Sequence, residues 1–316
     1  MNAAAPLSPK ENATRPILFS VTYGGLWGQA RLTLEEFIPR AAALGYAGVE
    51  LMGKRPHLSP LDWTDDRLAG LRALCERHTL EVACVAAYTN FGAGAESREV
   101  PFGEMQAQYV ESLCRMAQRL GCSLVRVFTA YERDDAPLVA QWEHAAAAIR
   151  ECCTRAAPYG VTIGIQNHHD LAAHTKALME LMREIGQPNC RLMLDPWSPC
   201  LRGEELYETA KRAAPYVVYT TLADYVRLPR WRLRAGLTNY TRAEPDLVRA
   251  VPIGEGEIEN ALFLSGLRAG GYDGPVAYEI CSPMRGGGGM ENLDQCASAF
   301  VRWLKANAAG GAGASG

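Results

Sequence analysis

The stretch Val161-Thr-Ile-Gly-Ile-Gln-Asn-His-His-Asp170 decides how this chain folds, because an apolar run of strand character ends there in a cluster of polar side chains. The same pattern returns in Cys190-Arg-Leu-Met-Leu-Asp195 and in Pro275-Val-Ala-Tyr-Glu279. Strands that each deliver polar side chains at their C-terminal ends predict one shared site at the mouth of a parallel barrel.

Eight apolar runs alternate with helical patterns along the chain, which predicts eight strand–helix units joined by right-handed crossovers. We therefore expect an α/β fold, a single (β/α)8 TIM barrel over residues 16–307, with disordered segments at 1–15 and at the Gly/Ala-rich 308–316. An open doubly wound sheet competes with this fold, but no Gly-x-Gly-x-x-Gly turn follows the first strand. A long loop insertion, Ala223 to Gly256, separates the seventh and eighth strands and is expected to cover the mouth or dock a second subunit.

Composition excludes several classes of function. The 316 residues carry a net charge of −3, which argues against a nucleic-acid surface or an anionic membrane patch. No apolar run reaches the ~18 residues that span a bilayer, and Met1 to Pro16 lacks the apolar core of a signal peptide. The ten cysteines include no Cys-x-x-Cys pair, so we expect buried free thiols and a cytoplasmic protein.

The polar strand ends predict a metal site. Gln166 and His168 are two residues apart and so point the same way, while Asp195 and Glu279 end strands six and eight at equivalent heights. Two carboxylates, an imidazole and an amide oxygen suit a divalent cation that polarises a ketone and makes the adjacent C–H acidic. Any one of these residues alone would read as a satisfied buried polar group; their shared location favours function.

Further residues near the strand ends are candidates for substrate binding. Glu50 ends strand two and either contacts substrate or pairs with an arginine such as Arg126. His57 either binds sugar hydroxyls or belongs to a turn. Trp197, two residues after Asp195, is placed to stack on a ring, and Arg285 is a candidate clamp for an anion or hydroxyl.

At these residues the chain resembles the sugar phosphate isomerase/epimerase family, the xylose isomerase-like barrels. The resemblance rests on Leu44-Gly-Tyr-Ala-Gly-Val-Glu-Leu51, Gly164-Ile-Gln-Asn-His168, Leu192-Met-Leu-Asp195, Ile253-Gly-Glu-Gly256 and Gly271-Tyr-Asp-Gly274 before Tyr278-Glu279. It implies one divalent metal bound by Glu, Asp, His and Glu from strands five to eight. The chain departs from that set twice: Gln166 replaces the first Glu, and Thr221, assigned here to substrate, replaces the His.

The departures shape the expected chemistry. Gln166 cannot act as a base, so one principal base remains, and we expect His168 rather than Glu279 to fill that role. Such a set suits proton abstraction, an enediolate and loss of a leaving group, as in the resembling barrel subunits of bacterial C-glycoside deglycosidases, which act on 3-keto-glycosides with a small partner subunit.

Three alternatives stay open from the sequence. They are a sugar (phosphate) isomerase or epimerase on a free ketose, a non-catalytic barrel subunit, and an endonuclease IV-like phosphodiesterase, against which six histidines and an acidic balance argue. The expected cofactor is Mn²⁺, with Mg²⁺, Co²⁺ or Zn²⁺ as alternatives. The expected partners are a small sugar or glycoside and either a small partner subunit or a second copy in a homo-oligomer.

Overall fold

Parallel strands form the centre of the molecule, and the computed structural model describes residues 15–92, 99–237 and 239–308. The strands are β1 (Pro16–Phe19), β2 (Gly48–Met52), β3 (Glu81–Ala86), β4 (Leu124–Val127), β5 (Thr162–Gln166), β6 (Cys190–Met193), β7 (Val217–Leu222), β8 (Tyr225–Arg234), β9 (Asn239–Ala250) and β10 (Val276–Tyr278). Eight of them close into a barrel in the order β1-β10-β7-β6-β5-β4-β3-β2, which confirms the predicted TIM barrel. The terminal segments predicted to be disordered lie outside the described residues, apart from residues 15 and 308.

Helices surround the barrel and connect its strands. They are α1 (Leu34–Ala43), α2 (Asp65–Arg77), α3 (Phe102–Arg119), α4 (Leu138–Ala156), α5 (Thr175–Ile185), α6 (Trp197–Leu201), α7 (Leu206–Ala213), α8 (Asn260–Ala269) and α9 (Met290–Ala308), with short 3-10 segments at Ser20–Tyr23, Ala157–Tyr159, Ala214–Tyr216 and Ala235–Leu237. A capping box begins α1, since the Thr33 and Glu36 side chains each accept the other residue's backbone N–H.

The barrel interior is filled by one apolar layer. It contains side chains from six strands that pack on one another: Ile17, Cys84, Leu124, Met193, Tyr219 and Ala277. Because strand side chains alternate, the residue two positions further along each strand also faces inward, one step closer to the C-terminal mouth. These next positions are occupied by Arg126, Asp195, Thr221 and Glu279, among others. The apolar layer therefore closes the barrel below and a polar layer forms the floor of the mouth.

The predicted loop insertion between the seventh and eighth barrel strands is instead an antiparallel ribbon, β8 and β9. Asp224 anchors the ribbon at its root. Its carboxylate accepts hydrogen bonds from the backbone N–H groups of Tyr225 (3.0 Å), Gly254 (2.8 Å), Gly256 (3.0 Å) and Ile258 (3.3 Å). A Cβ at position 256 would lie 1.9 Å from Oδ1 of Asp224, so only glycine fits there.

Two further expectations can be compared with the structure. All ten cysteines lie within the described residues as free thiols, and eight of them are buried, as expected. Across the described ranges, none of the helices is both long and apolar enough to cross a bilayer.

Candidate active site at the barrel mouth

Asp195 and Gln166 are joined in the floor of the mouth. Gln166 Nε2 donates to Oδ2 of Asp195 at 2.8 Å. Asn167 fixes the backbone beside them, because its amide donates to the carbonyl of Asp195 at 2.8 Å and accepts from the Asp195 N–H at 2.9 Å. The ends of β5 and β6 are thus locked together, and the predicted neighbours Gln166 and Asp195 are in direct contact.

Three carboxyl groups in the mouth have raised pKa values. Burial, followed by the charge of Glu279, raises the pKa of Asp195 to about 7. Burial raises the pKa of Glu50 to about 8, although Arg126 opposes the shift. Burial also raises the pKa of Glu279, again against Arg126. The charge of Glu279 contributes to the shifts of both Asp195 and Glu50, so all three carboxyl groups are within electrostatic range in the mouth.

Arg126 is the buried cation of the mouth. Its Nη1 lies 3.6 Å from Oε1 of Glu50, which confirms the contact expected between these two residues. The guanidinium faces the rings of Phe19 (5.3 Å), Tyr88 (5.1 Å) and Phe128 (4.3 Å). Neither carboxylate oxygen of Glu50 has a hydrogen-bond partner, and neither does Nε of Arg126. Both side chains therefore keep buried polar atoms without a hydrogen-bond partner, and Arg126 is held mainly by the aromatic rings around it.

His168 lies against Phe128 and His169. Its ring stacks on Phe128 with centroids 4.4 Å apart. Nδ1 of His168 accepts the backbone N–H of His169 at 2.9 Å. Desolvation in the crowded mouth lowers the pKa of His168, and His169 and Arg126 lower it further. The ring is therefore neutral; its Nδ1 also lies 2.8 Å from Nδ1 of His169, whose Nε2 lies 3.1 Å from the carbonyl oxygen of Thr89, so the two rings share one hydrogen-bonded network.

Three other residues predicted to bind substrate, Thr221, Trp197 and His57, lie in three different environments. Thr221 is buried in the polar layer, and its Oγ1 has no hydrogen-bond partner. Trp197 is partly buried and packs on Tyr225 at the root of the ribbon, with centroids 4.7 Å apart. His57 is buried with both ring nitrogens engaged, Nδ1 by Ser20 Oγ (3.0 Å) and Nε2 by the Leu32 carbonyl (3.1 Å). These partners occupy the imidazole atoms that the sequence assigned to a sugar.

Arg285 extends away from the polar layer. Its guanidinium forms an exposed ion pair with Glu255 at 3.2 Å. The structure therefore brings together Gln166, Asp195, Glu279, Glu50 and Thr221, and it places His168 beside them but against aromatic rings.

The sequence reading gave Arg126 no role beyond pairing with Glu50 and overlooked Tyr88 and Phe128. A signal for Arg126 was present, because an arginine inside the apolar run Leu124-Val-Arg-Val127 must face either the helices or the barrel interior. Tyr88 and Phe128 follow the inward positions of β3 and β4 by the same two-residue step. Counting that step from every strand would have found all three residues.

The donor set can be tested against a divalent cation. In the ranges that the structure describes, no three His, Cys, Asp or Glu side chains converge as a metal site. Gln166 supplies a third donor of another type, because its Oε1 is buried without a hydrogen-bond partner while Nε2 is held by Asp195. Two carboxylates and an amide oxygen, completed by water, fit a hard cation such as Mg²⁺ or Mn²⁺.

Comparisons with known proteins agree with this architecture. A profile described as the xylose isomerase-like TIM barrel matches residues 38–306. The chain belongs to the xylose isomerase-like TIM barrel family. No curated protein sequence matches this family member.

Solved structures of the same family share the barrel. A xylose isomerase domain protein from Alicyclobacillus acidocaldarius subsp. acidocaldarius is 22% identical, with a TM-score of 0.69 over 94% of this chain and 100% of that one. An L-ribulose 3-epimerase is 17% identical, with a TM-score of 0.71 over 94% and 95%. A D-psicose 3-epimerase from Clostridium cellulolyticum H10, solved with D-tagatose, is 15% identical, with a TM-score of 0.71 over 93% and 99%. At these identities the likeness shows a common fold.

Proposed function

We propose that this protein is a sugar-active enzyme that moves a proton at the carbon beside a carbonyl group, in the manner of an isomerase or epimerase. The observation that carries the proposal is the gathering of Glu50, Asp195 and Glu279, all with raised pKa, around Arg126. Carboxyl groups tuned toward neutral pH are suited to general acid–base catalysis. The epimerase structures that share this fold support a sugar as the substrate class.

The surroundings of each residue favour a division of roles. Glu279 is partly open to the mouth and would accept the substrate proton to give an enediolate. His168 was the base expected from sequence; its neutral ring, stacked on Phe128 beside His169, suits a hydrogen bond to a substrate oxygen. The unpartnered Oγ1 of Thr221 would bind a sugar hydroxyl.

A divalent cation, Mn²⁺ in the first instance, would be held by Asp195, Glu279 and Oε1 of Gln166. Such an ion polarises a bound carbonyl and makes the neighbouring C–H more acidic. Gln166 keeps its donor on Asp195 and so directs its oxygen away from that hydrogen bond. Metal content should fall in Asp195→Ala and Glu279→Ala and remain in His168→Ala; unchanged metal in the first two variants would reject the site.

Eliminative cleavage of a 3-keto-C-glycoside is the second candidate, and the aromatic wall beside the carboxyl groups favours it. Phe128 stacks on His168, and Tyr131 stacks on His169 at a centroid distance of 3.9 Å. Tyr131 is about half exposed, so part of the wall is open to a ligand. A planar aglycone would stack there while its sugar faced Glu279. A small partner subunit, as in the deglycosidases that the sequence resembles, belongs to this candidate.

Incubation with Mn²⁺ in D₂O separates the candidates. An isomerase or epimerase converts a free ketose and places solvent deuterium on the product, whereas a deglycosidase releases free aglycone from a 3-keto-C-glycoside. Glu279→Gln should reduce either rate by about 10²–10⁴-fold, the usual contribution of a general base. Turnover of neither substrate class by metal-loaded protein would favour the non-catalytic barrel, and near-normal turnover by Glu279→Gln with loss in His168→Ala would return His168 to the role of base.

A further inference from the structure

The ribbon formed by β8 and β9 has two chemically different faces. Cross-strand partners share a face, and the pairing sets Trp231 opposite Arg242 and Leu233 opposite Tyr240. One face is therefore aromatic and apolar. The alternate positions Arg230, Arg232 and Arg234 form the opposite, basic face. In an ordinary surface strand the apolar residues pack on a core and the polar residues face water. Neither face of this ribbon follows that pattern.

The aromatic face of the ribbon is open to solvent. Trp231 is 61% exposed, Leu233 is 62% exposed and Tyr240 is 60% exposed. A two-stranded ribbon is at best marginally stable in water unless its apolar face packs on something. Large aromatic side chains gathered on one exposed surface are typical of the buried centre of an interface. The exposed aromatic face of the ribbon therefore indicates a binding partner.

The net charge of the ribbon indicates what kind of surface its partner presents. Residues 225–250 hold six arginines and two acidic residues, a net charge of +4 in a chain whose total is −3. Two of these arginines, Arg232 and Arg234, are exposed and form no ion pair with any residue that the structure describes. The partner surface should therefore be both apolar and acidic.

Such a surface exists on the same molecule, across the mouth. It is the α3/α4 patch, defined as residues 101–106 and 131–143, at the N-terminal ends of α3 and α4. Its exposed apolar residues are Phe102, Met105, Tyr131, Leu138 and Val139. Its acidic residues, Glu104, Glu132, Asp134, Asp135 and Glu143, stand against the single cation Arg133, which gives a net charge of −4. The α3/α4 patch matches the ribbon in character and opposes it in sign.

The order of the strands around the barrel allows two copies of the chain to exchange these contacts symmetrically. Around the closed barrel, β7, which precedes the ribbon, is opposite β3, which precedes α3. Ribbon and patch both follow the C-terminal ends of strands, so they lie on the same face of the barrel, on opposite sides of the mouth. A two-fold axis between two barrels set mouth to mouth carries each ribbon onto the other copy's patch.

We propose that a second copy of this chain is the partner, and that the β8–β9 ribbon of each copy docks on the α3/α4 patch of the other. The dimer covers the aromatic face with Trp231, Leu233 and Tyr240, and it sets the net positive charge of the ribbon near the acidic residues of the patch. It also sets the two mouths face to face, where each ribbon shields the opposite site from bulk water. This inference is independent of the reaction proposed above.

Sedimentation velocity of the full chain over a range of micromolar concentrations tests the proposal. The wild-type chain should sediment as a dimer. The ribbon variant Arg232→Glu/Arg234→Glu and the patch variant Glu132→Arg/Asp134→Arg should each sediment as monomers, because each removes the opposite net charge that draws the ribbon and the patch together. An equimolar mixture of the two variants should recover a dimer, since the reversed charges are again opposite.

The control Arg77→Glu/Arg212→Glu changes the net charge as the ribbon variant does, at exposed positions outside both surfaces, and should remain dimeric. Trp231→Ser should raise the dissociation constant roughly 30-fold, the loss expected for one hot-spot side chain. Circular dichroism checks that each variant is folded. A monomeric wild-type chain, a dimer that survives both charge reversals, or a mixture that stays monomeric would overturn the proposal.

Discussion

Two buried carboxylates in this barrel have opposite surroundings. Asp224, at the root of the ribbon, accepts four backbone N–H groups. Glu50, in the mouth, accepts no backbone N–H, and its polar neighbours are the guanidinium of Arg126 at 3.6 Å and the hydroxyl of Tyr219. Both are shielded from water to the same degree, at 1% and 0% exposure. Burial alone therefore does not distinguish these two acids, whereas the count of backbone hydrogen bonds does.

The largest loss of stability is expected at the satisfied carboxylate. Asp224→Ala leaves four backbone N–H groups without their acceptor, and at about 1 kcal/mol each we expect a loss of roughly 3–4 kcal/mol in the free energy of unfolding. Urea unfolding measures it. Asp273→Ala, at an exposed aspartate, is the control and should change stability by less than about 0.5 kcal/mol. A loss at Asp224 no larger than that of the control would mean that water replaces these hydrogen bonds.

A smaller loss is expected from Gly256→Ala, because its new Cβ meets Oδ1 of Asp224. Overpacking of this kind costs about 1–3 kcal/mol. The double variant Asp224→Ala/Gly256→Ala removes the side-chain atoms that the Cβ would meet and leaves the backbone N of Tyr225 at 2.7 Å from it. It should therefore lose less stability than the sum of the two single losses, and simple additivity would contradict the contact.

Glu50 should make stability depend on pH in the direction opposite to a salt-bridged acid. Its pKa is raised to about 8 in the folded chain, so between its ordinary value near 4.5 and about 8 the folded state holds a proton that the unfolded state releases. Stability should fall as pH rises through this window, and Glu50→Gln should flatten the fall by about 1 kcal/mol or more. Unfolding with chelator present, at pH 5 and pH 8, measures both chains; identical slopes would refute the raised pKa.

The exposed carboxylate of Glu255 is expected to contribute least to the free energy of unfolding. Glu255 pairs with Arg285 at the surface, and exposed pairs of this kind contribute about 0–1 kcal/mol. Arg285→Ala should lower the free energy of unfolding by less than about 0.5 kcal/mol and leave the substrate KM unchanged. A clear rise in KM at unchanged kcat would instead restore Arg285 as the substrate clamp suggested by the sequence.

The strand ends were predictable because the polar residues interrupt apolar runs at a fixed period. That period placed Gln166, Asp195 and Glu279 in one mouth, and the structure brings them together. The period could not predict the environment of His57. The partners of its ring, Ser20 and Leu32, come from elsewhere in the chain, and only tertiary packing joins them. The contacts of His168 with Phe128 depend in the same way on neighbouring strands.

The ribbon was within reach of the sequence but was taken for a loop. In Arg230-Trp-Arg-Leu-Arg234 charged and apolar residues alternate with the period of a strand, and Asn239-Tyr-Thr-Arg242 follows it. The expectation of a loop rested on length and on the arginine, tryptophan and tyrosine content of the segment. The alternation shows a strand whose apolar side has no core beneath it, which is the signature of an interface.

Core packing and the polar site occupy different layers of this barrel. The core layer consists of Ile17, Cys84, Leu124, Met193, Tyr219 and Ala277. It supports the barrel from below, while the polar side chains one step higher carry no part of that packing. Substitutions at positions such as 166 and 221 therefore change the polar residues of the mouth while the apolar layer beneath keeps its packing. A barrel built in this way tolerates exchanges at its mouth, which makes those positions the natural ones for redesign.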